Sequence, residues 1–168
     1  SKWQKNGGSM DLFKKLETKR IIIDKLKFDL DKFQDIFTEK ELIEFYGHEN
    51  LSEHENPLWD ANDGDILWHL IVKETDELIG TVQLHSINKN LGLAKLGYIT
   101  AKKFKLQGYM YEAIVSILEY AFTELNFRMI YAHTHEKNIP SRKLLEKLGL
   151  TFKSLGANKP HCFWGDGN

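Results

Sequence analysis

Three lysines, Lys102, Lys103 and Lys105, precede Gly108, and an apolar-periodic segment follows it at once. That order suits an anion. A helix that begins at Gly108 has several backbone N–H groups without a helical partner and a partial positive charge, and the lysines add to the same field. A pyrophosphate is the guest this arrangement predicts. Further on, Asn138 and Ser141 stand three residues apart with Pro140 between them, so that Asn138 can cap a helix and Ser141 can occupy its first turn. Among seven histidines, His85, His133 and His135 fall on or beside segments that read as strands, and an ordinary imidazole pKa of about 6.5 lets each accept a proton near neutrality. The single cysteine, Cys162, excludes an internal disulfide framework and lacks the companions of a zinc site, so no metal is expected.

The elements that must position these residues form one unit. Leu93 to Thr100 is short, apolar and rich in β-formers, which predicts a strand running into the lysine loop. Beyond Gly108, Met110, Ala113, Ile114, Ile117, Leu118, Ala121, Phe122 and Leu125 recur with helical period, while Glu112, Ser116, Glu119 and Thr123 take the other side. Arg128 to Thr134 then reads as a second strand. The result is a β-α-β unit with parallel strands and a right-handed crossover, and ligands of such sheets collect at the carboxyl ends of the strands.

The rest of the chain supports that unit. At 168 residues the prior is one domain that buries roughly two-thirds of its unfolded surface. Lys plus Arg number 23 against 24 Asp plus Glu, a formal charge of -1, which argues against nucleic acid as the main partner. No apolar run reaches the length of a membrane span and no signal-peptide pattern opens the chain, so no membrane is implied and a cytoplasmic location is the default. Residues 1–9 (SKWQKNGGS), polar and followed by Met10, read as an expression leader or linker, and residues 10–168 as a single domain. Arg20 to Phe28 predicts the first strand, with helices to follow through Phe37 and over Glu39 to Tyr46. His48 to Gly64 reads as a loop or an irregular helix whose Trp59 closes the core more readily than it lines an acceptor groove. Ile66 to Val72, Leu78 to Ile87 and the strand at Leu93 form an antiparallel meander joined by Lys73 to Glu77 and by Asn88 to Gly92. A helix from Asn138 to Leu148, with Gly149 just past its end, leads to strands at Thr151 to Leu155 and His161 to Trp164.

LETKRIIIDKL, LIGTVQLHSI, AKLGYIT, KLQGYMYEAI and NIPSRKLLEKLGL, in that order and spacing, resemble the GCN5-related N-acetyltransferase (GNAT) superfamily and, within it, the RimJ/RimL type that acetylates protein N-terminal amines. The likeness spans Leu16 to Leu155. It implies an α/β chain with the GNAT fold: a mixed central sheet of about six to seven strands flanked by about four helices, with a central β-α-β acyl-CoA site. It implies an acyltransferase that takes acetyl-CoA as co-substrate and passes the acetyl group directly to a primary amine. The superfamily's pyrophosphate loop, Q/R-x-x-G-x-G/A, falls here on Lys105, Leu106, Gln107, Gly108, Tyr109 and Met110, with Tyr111 next. Backbone groups near Ile99 and Thr100 are then expected to pair with the pantetheine arm, and Asn138 to contact it. Ser141 is expected beside the thioester sulfur, stabilising or protonating the leaving thiolate.

Five departures qualify that likeness. Lys105 replaces Gln or Arg. Met110 stands where Gly or Ala lets a diphosphate approach closely, which predicts weakened acetyl-CoA binding. Leu145 fills the position of a tyrosine acid, and Lys95 that of a glutamate base, which leaves His85 as the candidate base, ahead of His133 and His135. The last strand is short, so the acceptor site is either open on that side or completed by a second copy in a homodimer. Three readings stay open: acetylation of a protein or peptide N-terminal amine; of a small amine such as a polyamine or antibiotic, for which Glu49, Glu53, Glu55, Asp60, Asp63 and Asp65 could supply an acidic groove; or an acyl-CoA-binding module without turnover.

Overall fold

The computed structural model describes residues 12–25, 64–153 and 161–167, together with the backbone of 4–5 and 8–9. The expected helices between Asp29 and Tyr46, the loop with Trp59 and most of the acidic set lie outside the described residues. Gln4–Lys5 (β1) and Gly8–Ser9 (β2) pair only with each other. The main sheet is built from Leu16–Glu17 (β3), Ile21–Asp24 (β4), Ile66–Val72 (β5), Leu78–Asn88 (β6), Leu93–Thr100 (β7), Met129–Thr134 (β8), Thr151–Lys153 (β9) and His161–Asp166 (β10). Its order is β3-β4-β5-β6-β7-β8-β10-β9. Every neighbour is antiparallel except β7 and β8, which run parallel. The expected mixed sheet and β-α-β unit are borne out, with eight strands in place of six to seven.

The two helices of the described residues are Tyr109–Thr123 (α1) and Ile139–Lys147 (α2). On α1 the helical period places Met110, Ala113, Ile114, Ile117, Leu118 and Ala121 on one buried side. Ile21, Leu70, Val82, Leu84, Ala94, Leu96, Ile130 and Phe163 are all nearly or fully inaccessible, and strand alternation with the pairing register puts them on one face of the sheet. Burying each of these side chains larger than alanine stabilises the fold by about 1.5–3 kcal/mol. Trp68 and Tyr120 meet edge to face at 6.3 Å. Their polar ends donate to the segment before β3: Trp68 Nε1 to the Lys14 carbonyl at 2.8 Å and Tyr120 Oη to the Leu12 carbonyl at 2.6 Å. Leu12 to Glu17 is thereby tied to both layers.

The junction of β7 and β8 is open at one end for a local reason. The Gly92 carbonyl accepts from Arg128 N–H at 2.8 Å and from Met129 N–H at 3.2 Å, which fastens the beginnings of the two strands together. A Cβ on Gly92 would meet the Arg128 side chain at 2.9 Å, and its φ is +64°, so only glycine fits this close turn. Pairing then runs through Leu93 with Met129, Ala94 with Ile130 and Lys95 with Tyr131, and ends. β7 continues to Thr100 on β6, while β8 continues to Thr134 on β10. The strands therefore diverge into a wedge.

Candidate functional site

The wall of the wedge on the β7 side is set by register. Ala101 N–H donates to the Ile79 carbonyl at 2.7 Å, and because antiparallel partners alternate, Ile99 turns its backbone groups toward β6 while those of Tyr98 and Thr100 face the wedge. The tight approach of the Ile99 carbonyl to Gly80 agrees, since a Cβ on Gly80 would lie 2.0 Å from that oxygen. The expectation for a backbone partner thus moves from Ile99 to Tyr98, and Thr100 keeps it. Ile99 contributes a buried side chain instead.

At the open end the chain turns through the 3-10 segment Lys102–Phe104 and reaches α1 by way of two left-handed residues, Leu106 at φ +64° and Gly108 at φ +79°. Leucine in that region is strained by about 1–2 kcal/mol, and its side chain is 94% exposed with no packing in return. The first helical bond runs from Glu112 N–H to the Gly108 carbonyl at 3.1 Å, which leaves the N–H groups of Tyr109, Met110 and Tyr111 outside the ladder. Lys105 and Gln107 are exposed, and Gln107 Nε2 donates to the Lys103 carbonyl at 2.7 Å. Met110 lies in the core at 6% exposure, so its side chain points away from the loop surface. The loop residues accordingly fit a pyrophosphate.

Sequence reasoning did not single out the buttress behind this loop. Arg20, at the turn into β4, donates through Nε to Glu112 Oε1 at 2.8 Å and from its guanidinium to the Gln107 carbonyl at 3.3 Å. It also lies 4.1 Å from the centre of the Tyr109 ring. Thr18 Oγ1 and Arg20 N–H donate to the other Glu112 oxygen at 2.5 and 3.1 Å. Partial burial pushes the Glu112 carboxyl up, but these donors and the Arg20 charge outweigh it and hold the carboxyl below its usual range. Nothing in the spacing of Thr18, Arg20 and Glu112 signals the cluster, because their contact spans about ninety positions of chain.

The two faces of the wedge differ in chemistry. On the helical face, Asn138 Oδ1 accepts from Ser141 N–H at 3.2 Å and caps α2. Ser141 Oγ lies 2.5 Å from Tyr98 Oη. Leu145, one turn on, is fully buried. On the opposite face, register brings together His85, Lys95, Tyr131 and, two positions on, His133. Tyr131 stacks on Trp164 at 5.0 Å and lies 5.6 Å from His133. Burial, then Lys95, then His133 lower the His85 pKa to about 4, and His133 is also lowered, by burial and by Lys95. His85 Nδ1 is 3.1 Å from Ser86 Oγ. His135 sits apart, accepting from Lys137 N–H at 3.1 Å. The structure therefore brings His85 and His133 into one cluster and leaves His135 as a local loop contact. Among the described residues there is no grouping of His, Cys, Asp and Glu that could hold a metal, and no helix is long and apolar enough to cross a membrane.

β7 and β8 part beyond their third register pair, and the N-terminus of α1 flanks the opening. Residues 20–151 match the Acetyltransferase (GNAT) domain family, and the chain belongs to that family. It is 38% identical over 86 residues to the uncharacterized N-acetyltransferase p20 of Bacillus licheniformis, a match over 51% of this chain and 48% of that protein. The chain thus spans about half the length of that relative. With the uncharacterized N-acetyltransferase YoaA of Bacillus subtilis (strain 168) it shares 28% identity over 90% of each chain. Among solved structures, spermidine N-acetyltransferase from Vibrio cholerae, in complex with CoA and spermine, superposes with a TM-score of 0.73 at 20% identity over 89% of this chain and 96% of that one. Ribosomal-protein-S5-alanine acetyltransferase from Vibrio fischeri gives 0.66 at 16% identity over 93% and 98%. These two likenesses concern the fold.

Proposed function

We propose that this chain transfers the acetyl group of acetyl-CoA to the α-amine at the N-terminus of a protein or peptide, as RimJ/RimL-type enzymes do. One observation carries the choice of acceptor. Lys95 stands where a carboxylate base would, and the imidazole beside it, His85, has a pKa of about 4. Such a site is poorly equipped to deprotonate a strongly basic amine. An α-amine with a pKa of about 7.7–8.0 is roughly one-third neutral at pH 7.5, whereas an alkyl amine near 10.4 is neutral in only about one molecule per thousand. The acceptor that needs least help is the α-amine.

In this reading the loop amides from Lys105 to Tyr111 hold the pyrophosphate, with Gly108 giving the close approach and the lysines the field. The wedge-facing backbone of Tyr98 and Thr100, with Asn138, aligns the pantetheine arm as an added strand. Acetyl-CoA supplies the activated acyl carbon. Fixing that carbon against the amine can lower the barrier by several kcal/mol, up to about 7–11 in ideal cases. His85, neutral near pH 7, accepts the amine's surplus proton through water, and Ser141 serves the leaving sulfur.

Thiol release from acetyl-CoA, measured with the full chain, tests the proposal. Peptides with a free α-amine should support release, the same peptides with a blocked N-terminus should not, and spermidine and an aminoglycoside should be far poorer acceptors. Preferential turnover of spermidine would overturn the acceptor assignment. Tight acetyl-CoA binding with no release across the whole panel would make the chain a binding module.

A further inference from the structure

We propose that Tyr98 is a positioning residue for acyl transfer: its phenol donates to Ser141 Oγ and so turns the serine hydroxyl toward the departing sulfur. The proposal rests on the acyl-CoA reading of the wedge. Tyr98 lies on β7 three residues past Lys95, the last position paired with β8, and Ser141 lies in the first turn of α2, which follows β8. The 2.5 Å contact between residues 43 apart therefore bridges the two walls of the opening. It does so on the face opposite His85 and Lys95. The amine side and the sulfur side of the reaction are in this way served by different faces of the same sheet.

The direction of the hydrogen bond follows from acidity. A phenol is the better proton donor and an aliphatic alcohol the better acceptor, so Tyr98 gives its proton to the bond and Ser141 keeps its own for a third atom. Asn138 holds the backbone of Ser141 at 3.2 Å, which leaves the hydroxyl rotor as the coordinate for Tyr98 to fix. Burial raises the Tyr98 phenol to about 12, the bond to Ser141 working in the other direction, so the phenol stays protonated throughout the working range. α2 offers no other hydroxyl, since Ser141 is its only serine, threonine or tyrosine, and Leu145 is packed in the core.

The step balances without an added reagent. The amine lone pair forms the C–N bond, the C–S bond breaks with its electron pair leaving on sulfur, and the amine's surplus proton passes to His85 or water. An alkyl thiol is the stronger acid, that of cysteine titrating at about 8.5, so the departing thiolate is too weak a base to strip a phenol held near 12. Tyr98 and Ser141 therefore lend hydrogen bonds, and the thiolate is protonated by solvent after it departs.

The test compares wild type with Tyr98→Phe, Ser141→Ala and the double variant, all in the full chain. Tyr98→Phe should lower kcat about tenfold with the KM for acetyl-CoA changed less than twofold. Because the pair acts as one unit, the double variant should be no worse than the poorer single. In the binary complex with CoA, the ultraviolet absorbance of the thiolate should show a thiol pKa that is lowered in wild type and returns toward its free value in each variant. A structural pin alone would leave that pKa unchanged, so equal thiol pKa values with an unaltered kcat overturn the proposal. If Tyr98→Phe folds poorly, a ring-fluorinated tyrosine at position 98, which keeps the ring and makes its hydroxyl a stronger donor, decides the matter: the thiol pKa should fall further, and an unchanged value overturns the proposal. Failure of wild type to bind CoA at all is a distinct result and removes the acyl-CoA reading itself.

Discussion

His85 owes its low pKa to burial first and to the Lys95 and His133 charges second, and this has a consequence for stability with a definite sign. Above pH 6.5 the residue is neutral in both folded and unfolded chains and contributes nothing to pH dependence. As pH falls from 6.5 toward 4 the unfolded chain takes up a proton that the folded one refuses, so stability falls. His133, also lowered, adds in the same direction. Urea unfolding at pH 7 and pH 5 should therefore show a loss on acidification that His85→Gln reduces. An undiminished loss in that variant would show that His85 titrates normally. The same scale explains Leu145 and Met110: at 0% and 6% exposure both are core residues, which removes Met110 as an obstacle at the loop. Sequence could not say which way either side chain faces beyond its helical phase, because that is decided by what packs against it.

Two glycines separate the demands placed on the elements. Gly80 has an ordinary φ, but a Cβ there would sit 2.0 Å from the Ile99 carbonyl, backbone that cannot move without parting β6 from β7. Gly108 has space, with the Arg20 guanidinium at 3.5 Å, and needs instead a φ of +79°. Gly80→Ala should therefore destabilise the protein by about 1–3 kcal/mol or more through overpacking. Gly108→Ala should cost about 1–2 kcal/mol through conformation, and it should raise the KM for acetyl-CoA while Gly80→Ala acts through stability alone. Thermal unfolding read alongside KM distinguishes them, and equal KM values in both variants would contradict the role given to the loop. The strand and helix periods of this region are legible in sequence, and Leu93 to Thr100 is found where its pattern puts it. The short reach of the β7 to β8 ladder is not, since it depends on how β8 is drawn to β10.

For the molecule as a whole, the wedge sits between two halves of the sheet joined by only three register pairs, so a ligand that fills it should bind the folded chain alone and stabilise it by mass action. At a hundredfold excess over Kd, acetyl-CoA should add about 2.7 kcal/mol, a rise in Tm of about 5–10 °C for a chain of this size, and no shift would argue against the wedge as its site. What the sequence determined by itself, among the described residues, is the run of strands and helices from β4 onward, their order and the β-α-β unit, because hydrophobic period and turn residues act over a few positions of chain. It also carried the GNAT likeness, which the match over residues 20–151 bears out. Only the tertiary structure decided that Tyr98 reaches Ser141, that Arg20 buttresses the loop through Glu112, and that Ile99 turns its backbone away from the opening. Those facts arise from contacts between residues many tens of positions apart and from strand register, where a shift of one residue exchanges every face.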